Sequence, residues 1–108
     1  MEKKKIMGLL SWFGFGNKRK KIKEFMDKNA VIIDVRTVGE FQSGHIKNSK
    51  NIPLNTISSK IESIKSLNKP VIVCCQSGIR SSQANSILKN NGIESMNGGG
   101  WMGLRDKL

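Results

Sequence analysis

The feature that most constrains the fold is a pair of continuous apolar runs rich in β-branched residues. They read "AVII", residues 30–33, and "VIVC", residues 71–74. Neither run alternates apolar with polar residues, which is typical of strands buried on both faces of a parallel sheet. Helical patterns lie between and after them, so strand and helix alternate. The sequence therefore predicts an α/β fold with a mostly parallel central sheet flanked by helices.

Apolar residues at helical spacing predict three longer helices. These cover residues 20–28, about 56–67, and 80–91. The stretch "TVGE", residues 37–40, matches a capping box and predicts a further short helix that ends at Gly44. Short strands are expected just before Pro53 and at 93–96. We interpret the glycines at 98–100 as a turn before a short last helix.

Composition narrows the class of protein. A chain of 108 residues suffices for one domain with a small core. Two cysteines and one histidine, with no C-x-x-C pair, argue against a disulfide framework and against a zinc site. We therefore expect no metal and no organic cofactor. Such sparse use of cysteine fits a reducing compartment and predicts a cytoplasmic protein.

The amino-terminal residues 1–19 are apolar and basic, and we expect them to precede a domain at 20–108. Their apolar run, Ile6–Gly16, is too short to span a bilayer, and no signal-peptide cleavage pattern follows it. Three interpretations stay open. The run packs on the domain, it lies in a membrane interface, or Met7 is the natural start and the first six residues are an extension.

The net charge of +11 is concentrated towards the amino terminus, with +6 in residues 1–28 (nine basic, three acidic) and +5 in residues 29–108 (ten basic, five acidic). A solvated basic face and attraction to an acidic surface both fit this pattern. Weak membrane-surface contact by residues 6–23 is one expectation. Nucleic acid is not expected as a partner, because base-reading motifs are absent from the sequence. We expect a monomer.

The segment "CQSGIR", Cys75–Arg80, leads from the second apolar run into a helix. Cys74 ends the run, so we expect it to pack as a small hydrophobe. Cys75, predicted to be the first residue past the strand, would face a helix amino terminus, where the N–H groups and the dipole lower a thiol pKa. Gly78 lets N–H groups point inward as an anion-binding nest, and Arg80 adds positive charge. Cys75 is thus the predicted reactive residue, and a non-catalytic turn is the alternative.

From about Lys20 to Leu108 the chain resembles a single-domain rhodanese, a thiosulfate sulfurtransferase domain. The resemblance rests on three motifs in order, "VIIDVRTVGEFQSGHIKNSKNIPL", "PVIVCCQSGIRSSQA" and "NGIESMNGGGWMGL". It implies a parallel sheet flanked by helices. It also implies that Cys75 takes sulfur from thiosulfate or another sulfane donor as a persulfide. Cyanide or a thiol, free or on a protein, then removes that sulfur. The backbone N–H groups implied to stabilise the sulfur are those of Gln76, Ser77, Gly78, Ile79 and Arg80.

Further residues take smaller roles in this interpretation. Asp34 and Arg36 end the first strand, and the resemblance makes Arg36 part of the family signature. We expect ion pairing among Asp34, Arg36 and Glu40. Arg36 is expected either to pair with Glu40 or to shape the site. A structural hydrogen bond is expected of His45, because a rhodanese loop activates its cysteine without a histidine base. Trp101 is expected either to roof the pocket or to fill the core.

Two rival functions stay open. Phosphatases and arsenate reductases that resemble this fold have one residue more between cysteine and arginine than the four found here. The smaller loop suits a single sulfur atom. The other rival is a non-catalytic rhodanese-like binding or sulfur-carrier module. Non-catalytic members usually lack the cysteine, whereas this chain keeps Cys75, Gly78 and Arg80.

Overall fold

Four parallel strands form the centre of the fold in the computed structural model, which describes residues 17–108. The strands are β1 (Val31–Asp34), β2 (Lys50–Asn51), β3 (Val71–Cys75) and β4 (Ser95–Gly100). They lie in the order β2-β1-β3-β4, and each neighbouring pair is parallel. The predicted α/β fold with a parallel central sheet is confirmed.

Helices cover both faces of this sheet. They are α1 (Asn17–Asp27), α2 (Val38–Ser43), a 3-10 helix (Leu54–Lys60), α3 (Ile61–Ser66), α4 (Ile79–Asn90) and α5 (Trp101–Arg105). The predicted amphipathic helix over about 56–67 is confirmed in its second half, α3, whereas its first part is the 3-10 helix. Residues three apart share one side of a 3-10 turn. This places Leu54 and Ile57 against the same core.

The sheet buries apolar side chains on both faces, in two separate clusters. The first cluster lies under α3, α4 and the 3-10 helix and includes Ile33, Ile57, Ile61, Ile64, Val71, Val73, Cys75, Ala84 and Leu88. The second lies under α1 and α5 and includes Ile22, Phe25, Ile32, Ile72, Cys74, Met96 and Leu104. Successive residues of a strand point to opposite faces. The two adjacent cysteines therefore belong to different clusters.

The last strand corrects a second prediction. Glycines 98–100 were expected to form a turn, but they belong to β4, which starts at Ser95 rather than at 93. Val73 pairs with Asn97 and Cys74 with Gly99, so Gly98 is an extra residue in the register. A Cβ atom at Gly98 would lie 2.8 Å from Ile72 Cγ2. Close packing therefore requires glycine here, whereas clustered glycines ordinarily indicate a turn.

The three interpretations of Ile6–Gly16 concern residues outside the described part of the chain, so they stay predictions. Within residues 17–108, no helix combines the length and apolar character needed to cross a membrane.

We expect Gly98→Ala to lower the free energy of unfolding by about 1–3 kcal/mol, the usual cost of overpacking a core. The added methyl would lie 2.8 Å from Ile72 Cγ2 and 2.9 Å from Leu104 Cδ2. Urea unfolding measures the change. Gly103→Ala is the matched control, because Gly103 lies in α5 with nothing within 4 Å of the new methyl. It should be neutral or stabilising by up to about 1 kcal/mol. Equal losses in both variants would contradict the packing argument.

Candidate active site

Cys75 is the last residue of β3 rather than the first residue past it. The prediction is wrong by one position because β4 continues to Gly100, which pairs with Cys75 and extends the ladder. The side chain of Cys75 is only 1% exposed. Its sulfur lies at the carboxyl end of a central parallel strand, which is where ligands bind in open α/β sheets.

The sulfur of Cys75 accepts hydrogen bonds from the start of α4. The backbone N–H groups of Gly78 and Ser81 donate to it, with N···Sγ distances of 3.0 and 3.4 Å. Gly78 is the N-cap residue of α4, has φ of 104°, and has no side chain with which to cap the helix. The first N–H groups of a helix have no partner within the helix. The cysteine sulfur therefore takes the place of an N-cap side chain.

Two residues that sequence reasoning missed complete the surroundings of the sulfur. The Ser81 hydroxyl lies 3.3 Å from Cys75 Sγ and 2.7 Å from Asn97 Oδ1, and its single proton can be donated to either atom. The Asn97 amide in turn donates to the Gly78 carbonyl at 3.1 Å. The sequence could have identified Ser81 as a site residue, because it is the third residue of the helix that follows the loop. No sequence pattern identifies Asn97, because its position depends on the register shift at Gly98.

These contacts set the two cysteines apart electrostatically. Burial raises the pKa of the Cys75 thiol. Hydrogen bonds from Ser81 (hydroxyl and N–H) and from the backbone of Gly78 and Ser77 outweigh this effect, so the pKa is lowered overall. At Cys74, burial and the negative charge of Asp34 raise the pKa to about 12. Cys75 is therefore the cysteine that more readily becomes a thiolate, the nucleophilic form.

The buried arginine of the site pairs with a different acid from the one predicted. Arg36 Nε lies 2.9 Å from Asp34 Oδ1, and its Nη2 lies 2.7 Å from Asp34 Oδ2. Its Nη2 also donates to the Gly44 carbonyl at 2.7 Å, and its Nη1 reaches only the backbone carbonyl of Glu40, at 3.3 Å. The chain turns directly after β1, as the 3.0 Å bond from Arg36 N to Asp34 Oδ1 shows. The guanidinium therefore folds back onto its own strand.

The Glu40 carboxylate instead binds Arg80, the last residue of the predicted loop. The two side chains form a bidentate pair, with Nη1–Oε1 at 2.7 Å and Nη2–Oε2 at 3.0 Å. Glu40 also completes the predicted capping box of α2 with Thr37, which is confirmed. Arg80, followed by the backbone of Thr37, lowers the pKa of Glu40 to about 2. Arg80 thus ties the loop to α2, and its terminal nitrogens face a carboxylate rather than the sulfur.

A shallow pocket of about 270 Å³ lies beside the loop. It is lined by Arg36, Glu40, Ser43, Gly44, Gln76, Trp101 and Met102. The Trp101 ring lies 4.7 Å from the Arg36 guanidinium carbon and packs against the second cluster, so it both lines the pocket and fills core. Gln76, Ser77 and Ile79 are exposed at the loop surface. The loop thus presents polar and apolar side chains to an incoming molecule.

His45 has the expected structural role. Its Nδ1–H donates to the Phe41 carbonyl at 2.7 Å, and its ring stacks on Phe41 with 3.8 Å between centroids. In the described range, 17–108, no group of His, Cys, Asp and Glu side chains is arranged to hold a metal ion. The nucleophile that the geometry offers at the site is the thiol of Cys75, held by the start of α4.

Comparison with known proteins agrees with this geometry. The family model described as "Rhodanese-like domain" matches residues 18–106. The chain belongs to the rhodanese-like domain family. A putative mitochondrial thiosulfate sulfurtransferase of Schizosaccharomyces pombe is 33% identical over 96 residues, covering 76% of this chain and 68% of the relative.

Two further relatives show how widely the family match extends. The Bacillus subtilis protein YqhL is 39% identical over 75 residues, which cover 67% of this chain and 59% of YqhL. The chain therefore spans about three fifths of that relative. A solved rhodanese structure from E. coli, determined with anions, is 33% identical with a TM-score of 0.63 and covers 68% of this chain and 89% of that one. The E. coli rhodanese thus shares both sequence and backbone course with this chain.

We expect Ser81→Ala to raise the pKa of Cys75, because the variant loses the hydroxyl 3.3 Å from the sulfur. Thiolate absorbance and the rate of alkylation, each measured against pH, should both shift to higher pH. The folded-state pKa lies below that of the unfolded chain, so the thiolate stabilises the fold at high pH. This contribution is lost as the pH falls through the folded pKa, and it should be smaller in the variant.

Ser82→Ala is the matched control, because Ser82 is exposed and follows directly in α4. Its pH profile should match that of the parent. Cys74 contributes little to either signal, since its pKa is raised to about 12. An unchanged profile in Ser81→Ala would show that the backbone N–H groups alone set the pKa of Cys75.

Proposed function

We propose that this protein is a sulfurtransferase that moves a sulfane sulfur, from thiosulfate or a persulfide donor, to a thiophilic acceptor through a persulfide on Cys75. The observation that carries the proposal is the position of Cys75 Sγ. It lies at the amino terminus of α4 and accepts N–H bonds from Gly78 and Ser81 at 3.0 and 3.4 Å. Such a cradle stabilises one negatively charged sulfur without a histidine base or a metal.

The first half-reaction is a displacement at sulfur. The Cys75 thiolate attacks the outer sulfur of thiosulfate, a new S–S bond forms, and the S–S bond of thiosulfate breaks. Sulfite leaves with the electron pair of the broken bond. The terminal sulfur of the persulfide then carries the negative charge and is solvated by backbone N–H groups of the loop, Gln76–Arg80, in place of water.

The second half-reaction returns the enzyme to its starting state. Cyanide or a thiolate attacks the terminal sulfur, the persulfide S–S bond breaks, and Cys75 leaves as the thiolate. A low thiol pKa favours this step as well as the first, since the same thiolate is nucleophile and then leaving group. Two displacements that share a covalent intermediate give ping-pong kinetics.

The size of the loop favours sulfur over phosphate as the transferred group. Only four residues separate Cys75 from Arg80, and both Gly78 N–H and Ser81 N–H already point at the cysteine sulfur. Arg80, which would otherwise bind a tetrahedral oxyanion, is bound to Glu40 in a bidentate pair. The relative described as a putative thiosulfate sulfurtransferase supports the same choice.

Intact-protein mass spectrometry without reductant, after brief exposure to thiosulfate, tests the proposal. The parent should gain the mass of one sulfur atom, and cyanide should remove it. Cys75→Ser should gain none, because it lacks the nucleophile. Cys74→Ala is the matched control and should gain the atom like the parent, since Cys74 is fully buried with its pKa raised to about 12.

Each other outcome has a defined meaning. Sulfur that is retained in Cys75→Ser and lost in Cys74→Ala would reverse the assignment of the two cysteines. No gain in the parent, with thiosulfate or with a low-molecular-weight persulfide as donor, would overturn the enzymatic proposal. The rhodanese-like domain would then be a binding module.

A further inference from the structure

A basic groove lies between α1 and the carboxyl-terminal end of the chain, on the second-cluster side of the sheet. Its volume is about 570 Å³. The ionisable side chains that line it are all basic: Arg19, Lys20, Lys23 and Lys107. Three apolar side chains also line it: Ile22, which is buried, and Met26 and Leu108, which are 37% and 52% exposed. We call this surface the basic groove.

The positive charge of the basic groove is largely uncompensated within the fold. Lys23 pairs with Asp27 at 3.2 Å, but no ion pair within residues 17–108 joins Arg19, Lys20 or Lys107 to an acid. Nearby, the pKa of Lys18 is lowered, first by burial and then by the charge of Lys107. These cations therefore repel one another and attract a negatively charged partner.

The positive charge is dense along the first described turns of α1. Residues 18–21 are four consecutive basic residues, and no acidic residue lies in the first turn. Like charges this close repel one another, and an anionic surface relieves that repulsion.

The apolar side chains define the chemistry of that partner. Met26 and Leu108 are two of the five large hydrophobic side chains exposed within residues 17–108. The apolar run Ile6–Gly16, with Trp12 and two phenylalanines, directly precedes α1 in sequence. Basic residues beside exposed apolar ones, next to an aromatic-rich run, match the composition of surfaces that bind lipid interfaces.

We propose that the basic groove docks the protein on an anionic phospholipid surface. The lipid headgroups neutralise the lysines and Arg19, and Met26 and Leu108 enter the headgroup region. Nucleic acid fits less well, because the groove offers no aromatic or amide side chain to a base.

The basic groove is separate from the cradle of Cys75. The groove lies on the second-cluster side of the sheet, whereas the side chain of Cys75 belongs to the first cluster on the other face.

Vesicle co-sedimentation of the full chain tests the proposal independently of enzymatic activity. We expect binding to vesicles of equimolar phosphatidylglycerol and phosphatidylcholine, with little binding to phosphatidylcholine alone. Arg19→Gln with Lys20→Gln should lower the partition coefficient roughly tenfold or more, because each basic residue near an anionic surface contributes about fivefold. Binding should weaken as added salt screens the charges.

Lys65→Gln with Lys69→Gln is the matched control. This variant removes the same amount of positive charge as the first. Lys65 lies in α3 and Lys69 in the loop after it, on the opposite face of the sheet from the groove, and both side chains are exposed. This variant should bind vesicles to within about twofold of the parent. Both double variants should show the urea unfolding profile of the parent, which verifies that they are folded independently of any enzymatic activity.

Four outcomes would overturn the proposal. Equal losses of vesicle binding in the two double variants would mean that binding depends only on the net charge of the protein. Equal binding to both kinds of vesicle would mean that the apolar run acts without the basic groove. No binding to anionic vesicles would show that the basic groove is not a lipid-docking surface. Binding of duplex DNA or RNA that is lost with Arg19 and Lys20, without vesicle binding, would identify a nucleic-acid surface instead.

Discussion

The hydrogen bonds from the first turn of α4 to the sulfur of Cys75 are the interaction on which the site and much of the fold depend. Helix α4 starts at a glycine that cannot cap it, so its leading N–H groups need an acceptor from elsewhere. The strand end supplies that acceptor. The sulfur therefore joins the end of β3 to the start of α4, so a change at the site also removes hydrogen-bond acceptors from the helix that covers the first cluster.

Two neighbouring elements hold the loop from opposite sides, by different physical means. From β4, the Asn97 amide donates to the Gly78 carbonyl and its Oδ1 lies within hydrogen-bond distance of the Ser81 hydroxyl, so uncharged groups hold this side of the loop. From α2, Glu40 binds Arg80 through an ion pair at the surface. The first arrangement orients the groups next to the sulfur, and the second anchors the far end of the loop. Because both anchors are in place before any donor arrives, the N–H groups are preorganised.

The sequence predicted the parallel sheet, the capping box and the position of the reactive loop, because these depend on local patterns in β1, α2 and β3. It did not predict that Asn97 lies beside Cys75 or that Arg80 pairs with Glu40, because those contacts join residues far apart in sequence. The glycines of β4 were misassigned as a turn for a related reason. Glycine is required at position 98 because the side chains of Ile72 and Leu104 pack against it, and the local glycine content does not reveal this contact.

The placement of Cys74 and Cys75 on opposite faces of the sheet has a chemical consequence. Adjacent in sequence, their side chains point away from each other because the strand alternates its faces, and a disulfide between them would require β3 to unfold locally. The sequence contains no other cysteine. Oxidised or sulfur-loaded Cys75 thus has no internal resolving thiol, so any return to the reduced state depends on a nucleophile from a second molecule.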